Sequence, residues 1–273
     1  MWTIIMKKVG LYIIATNKYN NLLDPLFKDL NEIYGELTEY QLWVNLATDK
    51  SHNLQDISKI YKHLKFNILA IPSYSFPDAT LLRYKIINSF KNTSTFDYCV
   101  YIDCDMKIHK NFLDSKLMIE NKITLVKHPV FNTNASLKGF FYAITSRNMV
   151  YQYLKSTIVQ PFKLGTWENN KRSLAYVPYF KRKKYVHGAV WFGDPTSFLH
   201  LCVELEKRID IDRENKIIAI WHDESHLNWY ASHFKVNILE SNYSWGKMYR
   251  HLRHLTPIIS SIPKCERQAK LSD

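Results

Sequence analysis

The sequence predicts an α/β protein with a mostly parallel central sheet flanked by helices, built as a single large domain. Three observations lead there. Apolar runs of strand length alternate with stretches of helical period over the first half of the chain, the pattern of parallel strands covered on both faces. The 273 residues are 46% hydrophobic and 14% aromatic, which excludes disorder and supports a sizeable core. Seven glycines and no repeat at a solenoid period exclude collagen-like, Gly-linker and repeat architectures.

Taken in order, Val9–Thr16 reads as the first buried strand. Lys7 and Lys8 precede its apolar stretch, as in a signal peptide. The stretch is short, however, carries Tyr12, and runs into Thr16-Asn17-Lys18-Tyr19 rather than a small-residue cleavage site. Tyr40–Ala47, Asn67–Ile71, Tyr98–Asp103 and Ile123–Lys127 read as further strands. Between them Leu22–Tyr34, Asp56–Leu64 and Thr80–Phe90 place apolar residues at helical spacing. Thr196–Ile209 and Ser225–Phe234 read as amphipathic helices, and the polar Ser260–Asp273 as a mobile tail. No run approaches the ~20 apolar residues that span a bilayer. Cys99, Cys104, Cys202 and Cys265 form no C-x-x-C pair, so reduced thiols in a cytoplasmic protein are expected.

Thirty-seven Lys plus Arg against 25 Asp plus Glu give a net charge of +12, which favours an anionic partner: nucleic acid, nucleotide phosphates or an acidic membrane. The run Lys181-Arg182-Lys183-Lys184 reads first as a solvated loop. It leaves room for a peripheral contact with anionic lipid on the inner membrane face. A nucleic-acid footprint would need exposed aromatics on the same face as well, and no nucleic-acid partner is expected.

Two segments carry chemistry. Phe96–Ile102 is an apolar strand followed at once by Asp103-Cys104-Asp105. In extended chain residues i and i+2 point the same way, so both carboxylates can face one ligand. Two oxygen anions at a strand end suit a hard divalent cation bridging a diphosphate, although D-x-D also occurs in solvated turns. The second segment is Trp221-His222-Asp223-Glu224-Ser225-His226-Leu227-Asn228. His222 and His226 are spaced as in a zinc-protease helix, but Asp223 stands where that motif needs its general-base Glu. The competing reading takes Asp223 or Ser225 as a helix cap presenting Glu224 at a cleft. There a carboxylate acts as nucleophile or stabilises an oxocarbenium-like state. A third has these residues simply capping and bonding a helix.

Together these segments resemble glycosyltransferase family 6, the family of the histo-blood-group A and B transferases and the α1,3-galactosyltransferases. The resemblance is carried by Phe76-Pro77-Asp78-Ala79-Thr80-Leu81-Leu82-Arg83-Tyr84-Lys85, Tyr101-Ile102-Asp103-Cys104-Asp105-Met106, His128-Pro129, Tyr185-Val186-His187-Gly188-Ala189-Val190 and the W-H-D-E-S-H-L-N octet. It runs in order from about Val9 to Trp245, and the octet is its most specific part. Lacking the membrane stem of the animal enzymes, the chain looks like a bacterial or viral member.

The resemblance implies a GT-A fold: a catalytic domain over 1–257, nucleotide-binding to about 127 and acceptor-binding beyond, with a flexible tail over 258–273. It implies transfer of Gal or GalNAc from a UDP-sugar to a β-galactoside, forming an α1,3 linkage with retention. Ile14, Ala15, Thr16 and Tyr19 match the uracil and ribose segment. Asp78, Ala79 and Arg83 match the nucleotide-sugar helix. Asp103 and Asp105 match the ligands of Mn²⁺, for which Mg²⁺ is the expected substitute, with Cys104 between them. His187, Gly188 and Ala189 match the donor-sugar triplet, and Ala189 leans towards Gal because its methyl takes space an N-acetyl group would need. His128, Thr166, Trp221 and Trp245 match acceptor-side positions, and Glu224 matches the nucleophile, with Asp223 on the donor side. Lys264 and Lys270 are expected over the diphosphate. Trp167, Trp221 and Trp245 are expected on sugar faces. The chain departs from the family in a longer stretch between Pro129 and Thr166, and in Trp245-Gly246, where the family has Trp-Asp. Asp223 or Glu240 is the candidate to compensate. The alternative is a carbohydrate- or nucleic-acid-binding protein that keeps the fold without turnover.

Overall fold

The computed structural model describes residues 6–37, 39–51, 56–113, 119–129, 150, 167–246, 252–263 and 266–268. The main sheet has seven strands. They are β1 (Lys7–Ala15), β2 (Tyr40–Thr48), β3 (Leu64–Ala70), β4 (Tyr98–Ile102), β6 (Ile123–Lys127), β7 (Val186–Gly193) and β8 (Asn237–Leu239). Their order is β3-β2-β1-β4-β7-β6-β8. β3, β2, β1 and β4 run parallel, β7 runs antiparallel to both β4 and β6, and β8 is parallel to β6. A smaller sheet joins β5 (Met106–Ile108), β10 (Ile259–Ser261) and β9 (Trp245–Gly246). The mostly parallel, helix-flanked α/β sheet is the fold expected from the sequence.

The helices are α1 (Leu23–Gly35), α2 (Ile57–Ile60), α3 (Asp78–Leu81), α4 (Arg83–Asn88), α5 (Pro195–Glu214) and α6 (His222–His233). α5 starts cleanly because Asp194 caps it, its side chain accepting from the Ser197 N–H, with Pro195 in the first turn. Two core layers sandwich the sheet. One packs α1 against Leu11, Ile13 and Val100; the other packs α4 and α5 against Tyr12, Tyr101 and Trp191. None of the described helices is long and apolar enough to cross a membrane. Cys99, Cys104 and Cys202 are buried free thiols.

Three expectations are corrected. The helix read over Asp56–Leu64 is only the four-residue α2, because Leu64 already pairs with Leu42. Backbone pairing along the long β2 overrides local helical spacing. The helix over Thr80–Phe90 is two pieces joined at Leu82, so Arg83 opens α4. The tail is not free from 258 onwards: Ile259 is fully buried and β10 pairs with β5.

Chain direction collects the loops at one edge. β1 and β4 are parallel and in register from Val9–Tyr98 to Tyr12–Tyr101, so the residues after Ala15 and after Ile102 emerge side by side. β7 comes back the other way, and the Asp103 N–H donates to the Ala189 carbonyl at 2.9 Å. That brings His187 and Gly188 to the same edge, the place where open α/β sheets bind ligands.

Candidate active site

A cavity of about 500 Å³ opens at this edge. Ile14, Thr16 and Tyr19 line it from the β1 side, Phe76, Ala79 and Arg83 from the α3–α4 side, and Asp103, Cys104 and Asp105 from the end of β4. Eight of the expected donor-side and metal positions thus meet in one space. Ala15 is buried in the core beneath it, and the Asp78 carboxylate is held by Arg213 at 3.1 Å.

Arg83 is the hub. Its guanidinium is almost fully buried, and carries three contacts. Nη2 donates to Asp103 Oδ1 at 3.0 Å, Nη1 donates to the Gly188 carbonyl at 2.7 Å, and Nη1 pairs with Asp223 Oδ2 at 2.8 Å. Burial works against this cation, but the two carboxylates outweigh it and hold its pKa above the ordinary value. Its planar fork suits a position shared by several acceptors.

The Tyr101 hydroxyl donates to the same Asp103 Oδ1 at 2.6 Å. Burial lifts the Asp103 carboxyl to about 6, against the pull of Arg83, and the neighbouring Asp105 adds to the rise. Asp105 pairs through Oδ2 with Arg267. The described contacts therefore engage each aspartate through one oxygen. An oxygen-only pair beside a cavity, at the end of a buried strand, fits a hard divalent cation.

α6 packs against β7 and α3, beside the cavity rather than in its lining. The Asn228 amide clamps it to β7, accepting from the Val186 N–H at 2.8 Å and donating to the Val186 carbonyl at 2.9 Å. Glu168 fixes the preceding loop by accepting from the Ile220 N–H at 2.6 Å. The first turn then lies over Gly188, whose N–H donates to Glu224 Oε2 at 2.9 Å. Burial lifts the Glu224 carboxyl to about 7; the Gly188 N–H, Tyr185 and Arg83 oppose the rise. His187 lies beside it, Nε2 at 4.0 Å from Oε2, and burial with Arg83 nearby holds that imidazole down at about 4. His128 faces His187 edge to face at 4.8 Å. Potential ligand atoms of His128, His187 and Glu224 all lie within 4.8 Å of one another.

Other expected positions fall differently. Asp223 is not a helix cap: it sits inside the first turn of α6, buried against Arg83, and burial raises its pKa. Nor are His222 and His226 a ligand pair. His226 is buried beside Asp212 with its pKa pushed down to about 3, whereas His222 stacks edge-on against Phe76. Ala189 packs in the core, and a Cβ on Gly188 would meet Arg83 and Glu224 at 3.4–3.6 Å. The residue bordering the Glu224 space is therefore Gly188. Trp221 is 48% exposed at the start of α6 and free to meet a ligand face. Trp245 is half-buried, its indole N–H donating to the Leu252 carbonyl. Trp167 contradicts its expected place on a sugar face: it is 2% exposed, packed edge-on against Tyr185. Arg182 is likewise no part of a solvated basic run, since it is buried and donates to the Val177 carbonyl. Glu240 is committed to Lys127 and Asp223 to Arg83, so both candidates for the missing acid at Gly246 already hold partners. Thr166, Lys264 and Lys270 lie outside the described residues. Arg267 on Asp105 was missed; its signal is a basic residue midway between the two tail lysines.

Residues 158–269 match Glycosyltransferase family 6. The chain is 24% identical over 247 residues to the O-antigen biosynthesis glycosyltransferase WbnI of Escherichia coli, covering 88% of this chain and 89% of that protein. It is 35% identical over 244 residues to the Histo-blood group ABO system transferase 1 of Rattus norvegicus, covering 88% of this chain and 61% of that protein. It is 22% identical over 242 residues to the Globoside alpha-1,3-N-acetylgalactosaminyltransferase 1 of Gallus gallus, covering 87% and 61%. The chain spans less than two thirds of the length of these two vertebrate proteins.

Proposed function

We propose that this chain, which belongs to glycosyltransferase family 6, transfers Gal or GalNAc from a UDP-sugar to a β-galactoside with retention, forming an α1,3 linkage. The observation that carries the reading is the cavity bordered by Asp103 and Asp105, linked through Arg83 to Gly188 and Glu224.

In this reading Ile14, Thr16 and Tyr19 hold the nucleoside. Asp103 and Asp105 hold Mn²⁺ or Mg²⁺, which supplies charge neutralisation to the leaving diphosphate. Arg83 keeps Asp103 in place and turns the Gly188 carbonyl away from the sugar space. Glu224 is the anion beside the anomeric carbon, serving either as nucleophile or as partner of an oxocarbenium-like state. The Gly188 N–H holds one of its oxygens, so the carboxylate is aimed before substrate arrives. Trp221 offers an apolar face to the acceptor galactose, and His128 a polar edge. Lys264, Lys270 and Arg267 add positive charge over the diphosphate and exclude water from a donor prone to hydrolysis. The chain works in the cytoplasm, and its positive charge draws it towards an anionic membrane that carries the acceptor.

The test is UDP release from UDP-Gal and UDP-GalNAc, with and without a β-galactoside and Mn²⁺. Acceptor-stimulated release that needs the metal is expected. A chain that binds donor and releases no UDP is instead a binding protein.

A further inference from the structure

The end of β4 and the junction of β6, β7 and α6 present two donor sets of different chemistry. Asp103 and Asp105 offer oxygen alone, whereas His128, His187 and Glu224 offer two imidazoles and one carboxylate. We infer that this second group is a distinct zinc site, separate from the aspartate pair, at which Zn²⁺ binds and blocks Glu224.

The composition sets this group apart from a magnesium or manganese site, and zinc is the ion whose usual donor set it matches. Two imidazoles with one carboxylate is a familiar donor set for zinc with an open fourth position. Nitrogen ligands favour zinc, copper and nickel over the magnesium and manganese that suit carboxylates. Geometry agrees. Ligand atoms about a tetrahedral zinc lie about 3.4 Å apart, given bonds of about 2.1 Å. The candidate atoms are within 4.8 Å of one another, so closing the shell asks each pair to approach by about 1.4 Å or less.

Outer contacts orient two of the ligands. The Ser244 hydroxyl bonds His187 Nδ1, fixing the ring with Nε2 towards Glu224. The Gly188 N–H holds Glu224 Oε2. Such partners keep a ligand in its binding orientation. The set comes from three elements: His128 follows β6, His187 lies in β7 and Glu224 opens α6. All three side chains are partly exposed, so an ion can reach them.

Binding stands independently of the proposed transfer reaction; inhibition rests on it. With zinc on Glu224, that carboxylate is withdrawn from the anomeric carbon. Zinc should therefore stop transfer even with Mn²⁺ in excess.

The full chain, freed of metal, is titrated with Zn²⁺ against a chromogenic chelator. One equivalent is expected. His128→Ala should weaken binding by more than about 100-fold, since losing an outer partner alone costs roughly 10–100-fold. Asp105→Asn should leave zinc affinity unchanged. No stoichiometric binding, equal binding by His128→Ala, or loss in Asp105→Asn overturns the site. X-ray absorption on the zinc-loaded wild type decides even if a variant fails to fold: two-imidazole scattering supports the site, and an all-oxygen shell overturns it. If zinc binds but the chain proves inactive on every UDP-sugar, the site stands and the transfer reading falls.

Discussion

Arg83 Nη2 lies 3.0 Å from Asp103 Oδ1, joining the first turn of α4 to the end of β4 inside the fold. The same guanidinium holds Asp223, so one buried cation balances a buried carboxylate and a half-buried one. Removing it leaves both uncompensated. Arg83→Met should destabilise the protein by about 3–5 kcal/mol, read from the urea midpoint. Arg83→Lys keeps the charge but not the fork, and should recover part of the stability while transfer stays depressed.

The acidic pair gives a metal prediction. Transfer should vanish in EDTA and return with Mn²⁺. Asp105→Asn should lose on the order of 100-fold or more in rate while the protein stays folded. Full activity in EDTA would remove Asp103 and Asp105 from the metal role.

Glu224 links activity to stability with opposite signs. Its carboxyl is lifted from an ordinary 4.5 to about 7, so the fold favours the neutral form. The stability this group contributes is complete below the unfolded value and is lost as pH rises through about 7. Glu224→Gln is neutral throughout. It should melt higher than wild type at about pH 8, by on the order of 3 kcal/mol at most, with the gap shrinking by about pH 5. Transfer needs the ionised carboxylate, so wild-type rate should rise with pH through about 7. The variant should lose at least about 1000-fold in rate. A Gln variant that transfers normally removes Glu224 from the chemistry.

Two tryptophans should separate cleanly. Trp221→Ala should raise the acceptor KM by about three- to tenfold with little change in melting, because an exposed ring loses only a ligand face. Trp167→Ala should cost about 3–5 kcal/mol, because that ring fills the pocket between Tyr185 and Val177. Its KM should change far less than its melting point.

Much of this molecule was legible before folding. The apolar runs marked β1, β2, β4 and β6 to within a residue or two, because a buried strand needs a continuous apolar stretch whatever surrounds it. β9 and β10 were not legible, being two and three residues long and held by pairing with distant strands. The acidic pair announced itself because the strand before it is apolar throughout. Arg83 was recognisable only by resemblance, and its three partners only by folding.

What the sequence determined by itself was the α/β class, the main strands and the presence of D-x-D and W-H-D-E-S-H in one basic chain. Those depend on neighbours a few residues apart. Tertiary structure alone decided which charges meet: Arg83 with the Gly188 carbonyl 105 positions away, and Asp105 with Arg267 across 162. It also withdrew Trp167 and Arg182 from the surface and brought His128, His187 and Glu224 together. The reason is physical. Hydrophobic periodicity is local, whereas a buried charge must find its partner wherever sheet register and helix packing deliver one.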